Sequence, residues 1–470
     1  MNVFAKKSSL IIPAVFLFTA VPFSAFGAGQ VVNRASTQAE AAYNQGLTKD
    51  GFIQQLQVEL NSSSPKDVLS LFTELPSDLA EDFDIMYLQS ALNLSAGNYK
   101  EAQRICSVLN TKKPGNTDVL ELGITIATTQ DDKKTRSALL KELLAKDPYN
   151  ATANISLADD YFSRKNYKQA RLYYQKALAK DKENVDALFG VGRTSYFLED
   201  DKKAEETFLS MVEKDPSYAP GYSYLGKLAA AHKENTLASD YALKALRLDP
   251  ENYDYYMDYG LYENSMGHSQ NAIDAWTKAI EIQPDYFLAY AYRGGLYDAQ
   301  EKLDEACKDY RMVVKLNPEY YFANEAIGVI ELHNENWAQA RAAFEKCFEK
   351  QADNVSYPLM ITYCYYREKN PMKAKEFSDK VLRKMNRDSI EYAMLRVFHD
   401  RSGEMPLPQK IAKLESRQKQ GKMYFYLGLL YELAGGPEAS REWYSKVLSM
   451  NCPMFFEYRL AEWSVKPNAN

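Results

Sequence analysis

Pro114, Pro148, Pro216, Pro250, Pro284 and Pro318 fall on one ruler with marks every 34 residues, and Lys182, Ala352 and Asn386 stand on the marks without proline. A second ruler of the same spacing runs through Ala102, Ala170, Ala204, Ala238, Ala272, Ala306, Ala340 and Ala374, broken only by Arg136. A third carries Ala158, Gly192, Gly226, Gly260, Gly294 and Gly328. Four residues after most of the alanines comes a large ring: Tyr174, Phe208, Trp276, Tyr310 and Phe344. Small and large residues at fixed phases of a period this long mean a stack of two-helix units. Two helices cross closely only where one lacks bulk, so the small residues mark the crossing and the rings fill the space beside it. Asp147-Pro148, Asp215-Pro216, Asp249-Pro250 and Asn317-Pro318 close the second helix of a unit, because proline forces the residue before it out of the α region. Asn116, Asn150, Asn184, Asn252 and Asn354 follow two residues later, placed to cap the next first helix.

These residues together resemble the tetratricopeptide-repeat family. The pattern covers residues 83–388 as nine units of 34 and is tightest over 151–351. The resemblance implies an all-α fold, a right-handed superhelical solenoid of stacked antiparallel helix pairs. Around this array the expected organisation is a signal segment over 1–27, N-terminal helices with a degenerate repeat over 28–82, and an extra helix over Ala35–Leu47. An irregular basic connector over 389–421 carries Lys410, Lys413, Arg417 and Lys419. A final unit over 422–470 is expected to be completed by Ala439 and Trp443, with a closing helix over Phe455–Trp463. That last unit is similar to the terminal repeat of periplasmic tetratricopeptide-repeat adaptors that dock envelope proteases and cell-wall hydrolases.

The N-terminus reads as an export signal. Lys6 and Lys7 precede an uncharged apolar run over Ser9–Phe26, and Ala25-Phe26-Gly27 offers small residues for cleavage. Pro13 and Pro22 interrupt the run and weigh against a membrane anchor. Cleavage would take the net charge from −6 to −8 and leave a periplasmic or secreted product. Five cysteines leave at least one unpaired; they share no metal-ligand spacing and read as small buried residues.

Chemistry finds little foothold. His232, His268, His333 and His399 lie at different phases of the repeat, and no HExxH, GxSxG or GxxxxGK[ST] motif occurs. No catalytic residue, metal or cofactor is expected, and the acidic balance disfavours nucleic acid. What remains is a surface. In the family the first helices line a concave groove that holds proteins or peptides, and its groove-facing positions carry over here as Phe189, Arg193 and Tyr196, Tyr224 and Lys227, Met257 and Asn264, Tyr292, Phe322 and Val329, and Tyr363 and Arg367. The expected function is a non-catalytic adaptor or scaffold of the cell envelope. The alternative is a carrier or chaperone for unfolded or secreted polypeptides. Self-association stays open, and membrane contact is expected only if the signal segment is retained.

Overall fold

The computed structural model describes residues 47–465, and among them every regular element is a helix. The signal segment, and all of the Ala35–Leu47 helix except Leu47, lie outside the described residues. The chain divides into two units, 1–215 and 216–470.

The first unit opens with α1 (Lys49–Leu60), α2 (Pro65–Val68), a 3-10 turn (Leu69–Glu74) and α3 (Ser77–Ala80). Phe52, Leu56, Val68 and Phe72 pack these short pieces together, with the rings of Phe52 and Phe72 edge to face at 5.1 Å. Four helix pairs follow: α4 (Phe83–Ser95) with α5 (Tyr99–Lys112), α6 (Thr117–Thr129) with α7 (Lys133–Lys146), α8 (Ala151–Ser163) with α9 (Tyr167–Ala177), and α10 (Val185–Phe197) with α11 (Asp201–Lys214).

The second unit continues with α12 (Ala219–Ala231) and α13 (Asn235–Leu248), α14 (Tyr253–Ser265) and α15 (Ser269–Ile282), and α16 (Phe287–Ala299) and α17 (Leu303–Leu316). Then come α18 (Tyr321–His333) with α19 (Trp337–Lys350) and α20 (Ser356–Arg367) with α21 (Pro371–Leu382). Beyond them lie α22 (Ile390–Asp400), the short α23 (Leu407–Ala412), the pair α24 (Arg417–Leu433) and α25 (Pro437–Ser449), and the closing helix α26 (Phe456–Val465).

The rulers reappear as contacts. Every alanine of the second ruler is fully buried. A side-chain carbon added to Gly260 would stand 2.4 Å from Trp276, and one on Gly192 would stand 2.7 Å from Phe208, so glycine is what lets the ring of the second helix lie against the first. Burying each such ring stabilises the pair by about 1.5–3 kcal/mol. Asn116, Asn150 and Asn184 each accept the backbone N–H three residues on, as a helix cap does. Asn354 instead accepts from Ser356 N at 3.1 Å, and the helix begins at Ser356, one residue later than the ruler would place it.

The turn inside each pair is held by a left-handed residue. Gly97 and Gly267 serve two of these turns, but Asp131, Lys165, Glu199, Lys233, Glu301, Glu335 and Lys369 adopt the same conformation at φ between 55° and 64°. Each lets the following N–H reach back to the helix end, as Asp200 N does to Ser195 O at 3.0 Å.

Two places depart from the expected pattern. In the last pair the second-helix crossing residue is Ser440, not Ala439, and the ring is Tyr444, not Trp443. Ser440 is small, and its hydroxyl donates to Gly428 O at 2.9 Å; a side-chain carbon on Gly428 would lie 2.3 Å from Tyr444. The second departure is Arg136. It turns out of its own pair and spans to α8, donating to Asp160 Oδ1 at 2.9 Å, Ser156 Oγ at 3.0 Å and Ser156 O at 2.8 Å. A cleft of about 670 Å³ opens along this seam, lined by Leu140, Leu144 and Leu157 with Lys133, Arg136 and Arg164. On the other flank of α7 lies a second cavity of about 220 Å³, bordered by Cys106, Gly123 and Leu139. Cys106, Cys307, Cys347 and Cys364 are buried, and Cys452 is half-buried.

Candidate functional site

The residues singled out from the sequence fall on both units, so each group is described within its own. In the first unit, Phe189, Arg193 and Tyr196 share one face of α10, since residues four and three apart stack along a helix. Arg193 is not a free surface cation. Its guanidinium lies 3.8 Å from the centre of the Phe162 ring and 5.4 Å from that of Phe189. One of its terminal nitrogens donates to Tyr174 Oη at 3.0 Å and approaches Asp159 Oδ1 at 3.4 Å. Tyr174 in turn donates to Asp159. Burial raises the pKa of the Asp159 carboxyl, against the pull of that hydrogen bond and of Arg193. Arg193 therefore braces α8, α9 and α10. Beside it, Phe162, Tyr167 and Phe197 form an aromatic group, with Tyr167 stacked on Phe197 at 4.9 Å and Phe197 still 43% exposed. The members of this group flank the turns and lie off the rulers, so the 34-residue spacing does not mark them.

In the second unit, Lys227 on α12 forms an ion pair with Asp258 on α14. Asp254 sits one helical turn before Asp258. Neighbouring protein atoms crowd its carboxyl and raise its pKa, and the charge of Asp258 raises it further, while Lys227 pulls the other way. Two carboxylates thus face one ammonium. Tyr224 is half-buried on α12. Met257 belongs to the core: it is buried against Ala272, Trp276 and Ala289, so it supports the face from behind and offers a ligand nothing. Asn264 is exposed near the end of α14. Tyr292, 39% exposed on α16, lies stacked on Trp276 at 5.6 Å and is thereby held in place.

The same face carries a contact that periodicity did not announce. The closing helix α26 returns to α16 and α18. Arg459 pairs with Asp298 Oδ1 at 2.7 Å and donates to Asp298 O at 3.2 Å. Trp463 Nε1 donates to Glu301 Oε2 at 3.2 Å, and the indole ring lies 4.2 Å from both the Arg459 guanidinium and the His333 imidazole. Burial lowers the pKa of His333, Glu301 raises it and Arg459 lowers it, with burial prevailing. Asp298 stands 34 residues after Asn264, at the same phase, and following that phase one unit further would have found it. The inner end of α26 is anchored by Glu457, fully buried, which accepts from Ser356 Oγ at 2.5 Å and Tyr426 Oη at 2.7 Å.

Among the described residues no group of three or more His, Cys, Asp or Glu side chains is arranged to hold a metal ion. What the two faces offer is aromatic area, paired charge and backbone-rigid placement, which suits recognition of a polypeptide.

Tetratricopeptide-repeat family models match residues 161–228, and residues 134–184 and 293–354. Those segments carry tetratricopeptide repeats, and the same helix register of 34 residues runs before, between and after them. Among solved structures the chain is similar to MamA, at 28% identity over 34% of this chain and 95% of that one, with a TM-score of 0.32. It is also similar to PilF of Pseudomonas aeruginosa, at 18% identity over 45% and 96% with a TM-score of 0.40. A third is YrrB, described as a tetratricopeptide-repeat protein with an unusual peptide-binding site, at 20% identity over 40% and 96% with a TM-score of 0.33. No curated protein sequence matches the chain.

Proposed function

We propose that the protein is a non-catalytic scaffold of the cell envelope, exported by its N-terminal segment, that holds partner proteins along the face of its first helices. One observation carries the reading: in the second unit this face presents Asn264, Tyr292 and the Lys227–Asp258 pair on three successive first helices, with Tyr292 backed by Trp276 and Lys227 held by Asp258. A surface held rigid before binding loses little conformational freedom when a partner arrives, which favours a selective adaptor over an adaptable carrier groove. No helix among the described residues is long and apolar enough to cross a membrane.

The test places a photo-crosslinking amino acid at Tyr292 and, as a control, at Leu248, which is 41% exposed on a second helix. The expected result is the same partner band from cells at Tyr292 and none at Leu248. Fractionation of the same cells should recover a mature chain starting near Ala28 outside the cytoplasm. Equal crosslinking at both positions, or a cytoplasmic full-length chain, would count against the corresponding half of the proposal.

A further inference from the structure

We infer that the seam between α7 and α8 is a second docking site, one that takes an amphipathic helix of a partner protein whose apolar stripe is flanked by Asp or Glu. The site belongs to the first unit and does not depend on the function proposed above.

The array itself shows what this seam lacks. In the next pair the ring of Tyr174 on α9 lies so close to α10 that a side-chain carbon on Gly190 would collide with it. One repeat earlier the same two phases hold Leu140 and Ser156. Leucine is too short to fill the space of a ring. Arg136, standing where the ruler has alanine, reaches across the seam to Ser156 and Asp160. Within the first unit α5 packs on α6 and α9 on α10, whereas α7 barely touches α8. The resulting cleft of about 670 Å³ has the buried Leu140 at its floor and the half-buried Leu144 and Leu157 on its sides. A leucine or aromatic side chain brought by another chain would occupy the room that Tyr174 fills one pair on. It would also cover apolar surface that the array leaves open here.

The walls of the cleft set what must accompany that side chain. Lys133, Arg136, Lys141 and Arg164 line it against the single carboxylate of Asp160, in a chain whose net charge is −6. Asp160 is taken up by Arg136, and Lys133 has only the exposed Asp131, 3.7 Å away. Among the described residues neither Lys141 nor Arg164 forms an ion pair. Lys133 and Lys141 lie about 12 Å apart along α7, two turns of helix, and Arg164 stands just past the end of α8 on the facing wall. The cations are thus spread along both walls and not gathered at one end, as the lone headgroup of a fatty acid would require. An acidic helix laid in the cleft would turn its apolar stripe to the leucines and a row of carboxylates to each wall.

The experiment uses the full-length mature chain and three fluorescein-labelled eighteen-residue peptides. The first is an amphipathic helix with a stripe of Leu and Trp flanked by Glu. The second has Lys at every Glu position, and the third keeps Glu but has Ser in place of the stripe. Fluorescence anisotropy should show the first binding at least tenfold more tightly than either of the others, although attraction to an acidic chain as a whole favours the Lys peptide. The variant Lys141→Glu with Arg164→Glu, both at exposed positions, should keep its circular-dichroism spectrum and lose at least tenfold in affinity for the first peptide. The control Lys202→Glu with Lys203→Glu, on α11, makes the same change of charge elsewhere in the first unit and should bind as the unmodified chain does. Equal affinity for the first and third peptides overturns the inference, as does a preference for the Lys peptide. So does an unchanged Lys141→Glu/Arg164→Glu variant, or an equal loss in the control. Binding of hexadecanoate without binding of the first peptide overturns it too, and makes the cleft a lipid site. Failure of the first peptide to bind removes this site and leaves the proposed function standing, since crosslinking at Tyr292 reports on the other unit.

Discussion

The pairs α6/α7 and α14/α15 have the same length, the same turn position and the same register, yet they pack differently. Where the second has Gly260, Ala272 and Trp276, the first has Ile124, Arg136 and Leu140 at the matching phases. In α14/α15 the glycine and alanine bring the backbones together and the indole fills the remaining space, leaving Trp276 1% exposed. In α6/α7 bulk stands where the crossing needs none, and Leu140 is a poor substitute for an indole. Arg136 leaves the interface to bridge Ser156 and Asp160, and open clefts of about 670 and 220 Å³ flank α7. The repeat period alone therefore sets where helices begin and end, while the pairing of small with large residues sets how closely they meet.

The largest expected effect tests that difference directly. Trp276→Ala should destabilise the chain by about 3–5 kcal/mol, and Leu140→Ala by about 2 kcal/mol, because the leucine is smaller and borders an open cleft on one side. Chemical denaturation followed by circular dichroism would measure both; equal losses would mean that the clefts beside α7 carry no energetic weight. Next in size, Ala272→Leu should cost about 1–3 kcal/mol through overpacking. Arg136→Ala, which restores the alanine ruler, should also destabilise, by about 1–2 kcal/mol, since it removes the hydrogen bonds that span the open seam. A more stable Arg136→Ala protein would show that the bridge is incidental.

A smaller pair of changes exchanges the turns. Asp131 in the first pair and Gly267 in the second hold the same left-handed conformation. Asp131→Gly should raise stability by up to about 1 kcal/mol and Gly267→Asp should lower it by a similar amount, as the steric cost of a side chain at positive φ is relieved or imposed. The smallest effects should appear with pH. On α14, burial would raise the pKa of Glu263, but hydrogen bonds from Ser239, Asn271 and His268 outweigh it and hold the pKa below the ordinary 4.5. Its contribution is present above pH 4.5 and is lost as pH falls through the lower folded value. On α6, burial raises the pKa of Glu121 above 4.5, so its ionisation opposes folding at neutral pH and that penalty fades on acidification. Glu263→Gln should thus weaken the fold at pH 7 and matter little at pH 3, and Glu121→Gln should slightly strengthen it at pH 7. Urea titrations at the two pH values would compare them.

The regular pairs were legible because each crossing repeats its residue types at one phase: Gly260 with Trp276, Gly192 with Phe208. Arg136 was visible as a break, but not what it would do, since Ser156 and Asp160 lie in the next pair and follow no period. The site was read less well. The Lys227–Asp258 contact could be approached from phase, as both lie on first helices one unit apart. The partners of Arg193 were not legible, because Tyr174 and Asp159 come from the preceding pair. Met257 has the phase of a groove residue, but Trp276 and Ala289 close over it. The engagement of Asp298 by Arg459 joins residues 161 apart, a separation that no helix pattern encodes. The one-residue slip to Ser440 and Tyr444 arises because a serine there does the work of an alanine and hides from a search for alanines.

The buried cysteines bear on how such a chain would fare among oxidants. Only the thiolate attacks a disulfide or a peroxide. Burial pushes the Cys106 thiol up to about 11 and those of Cys307 and Cys347 up to about 12, and raises that of Cys364 as well. A thiol near 11 is ionised in only about one molecule in ten thousand at neutral pH, and the packing that produces the shift also keeps reagents out. An unpaired cysteine is a hazard to an exported protein only if it reacts. Here that exposure narrows among the cysteines to Cys452, ahead of the closing helix, so a thiol-oxidising compartment would find one cysteine within reach while packing shields the other four.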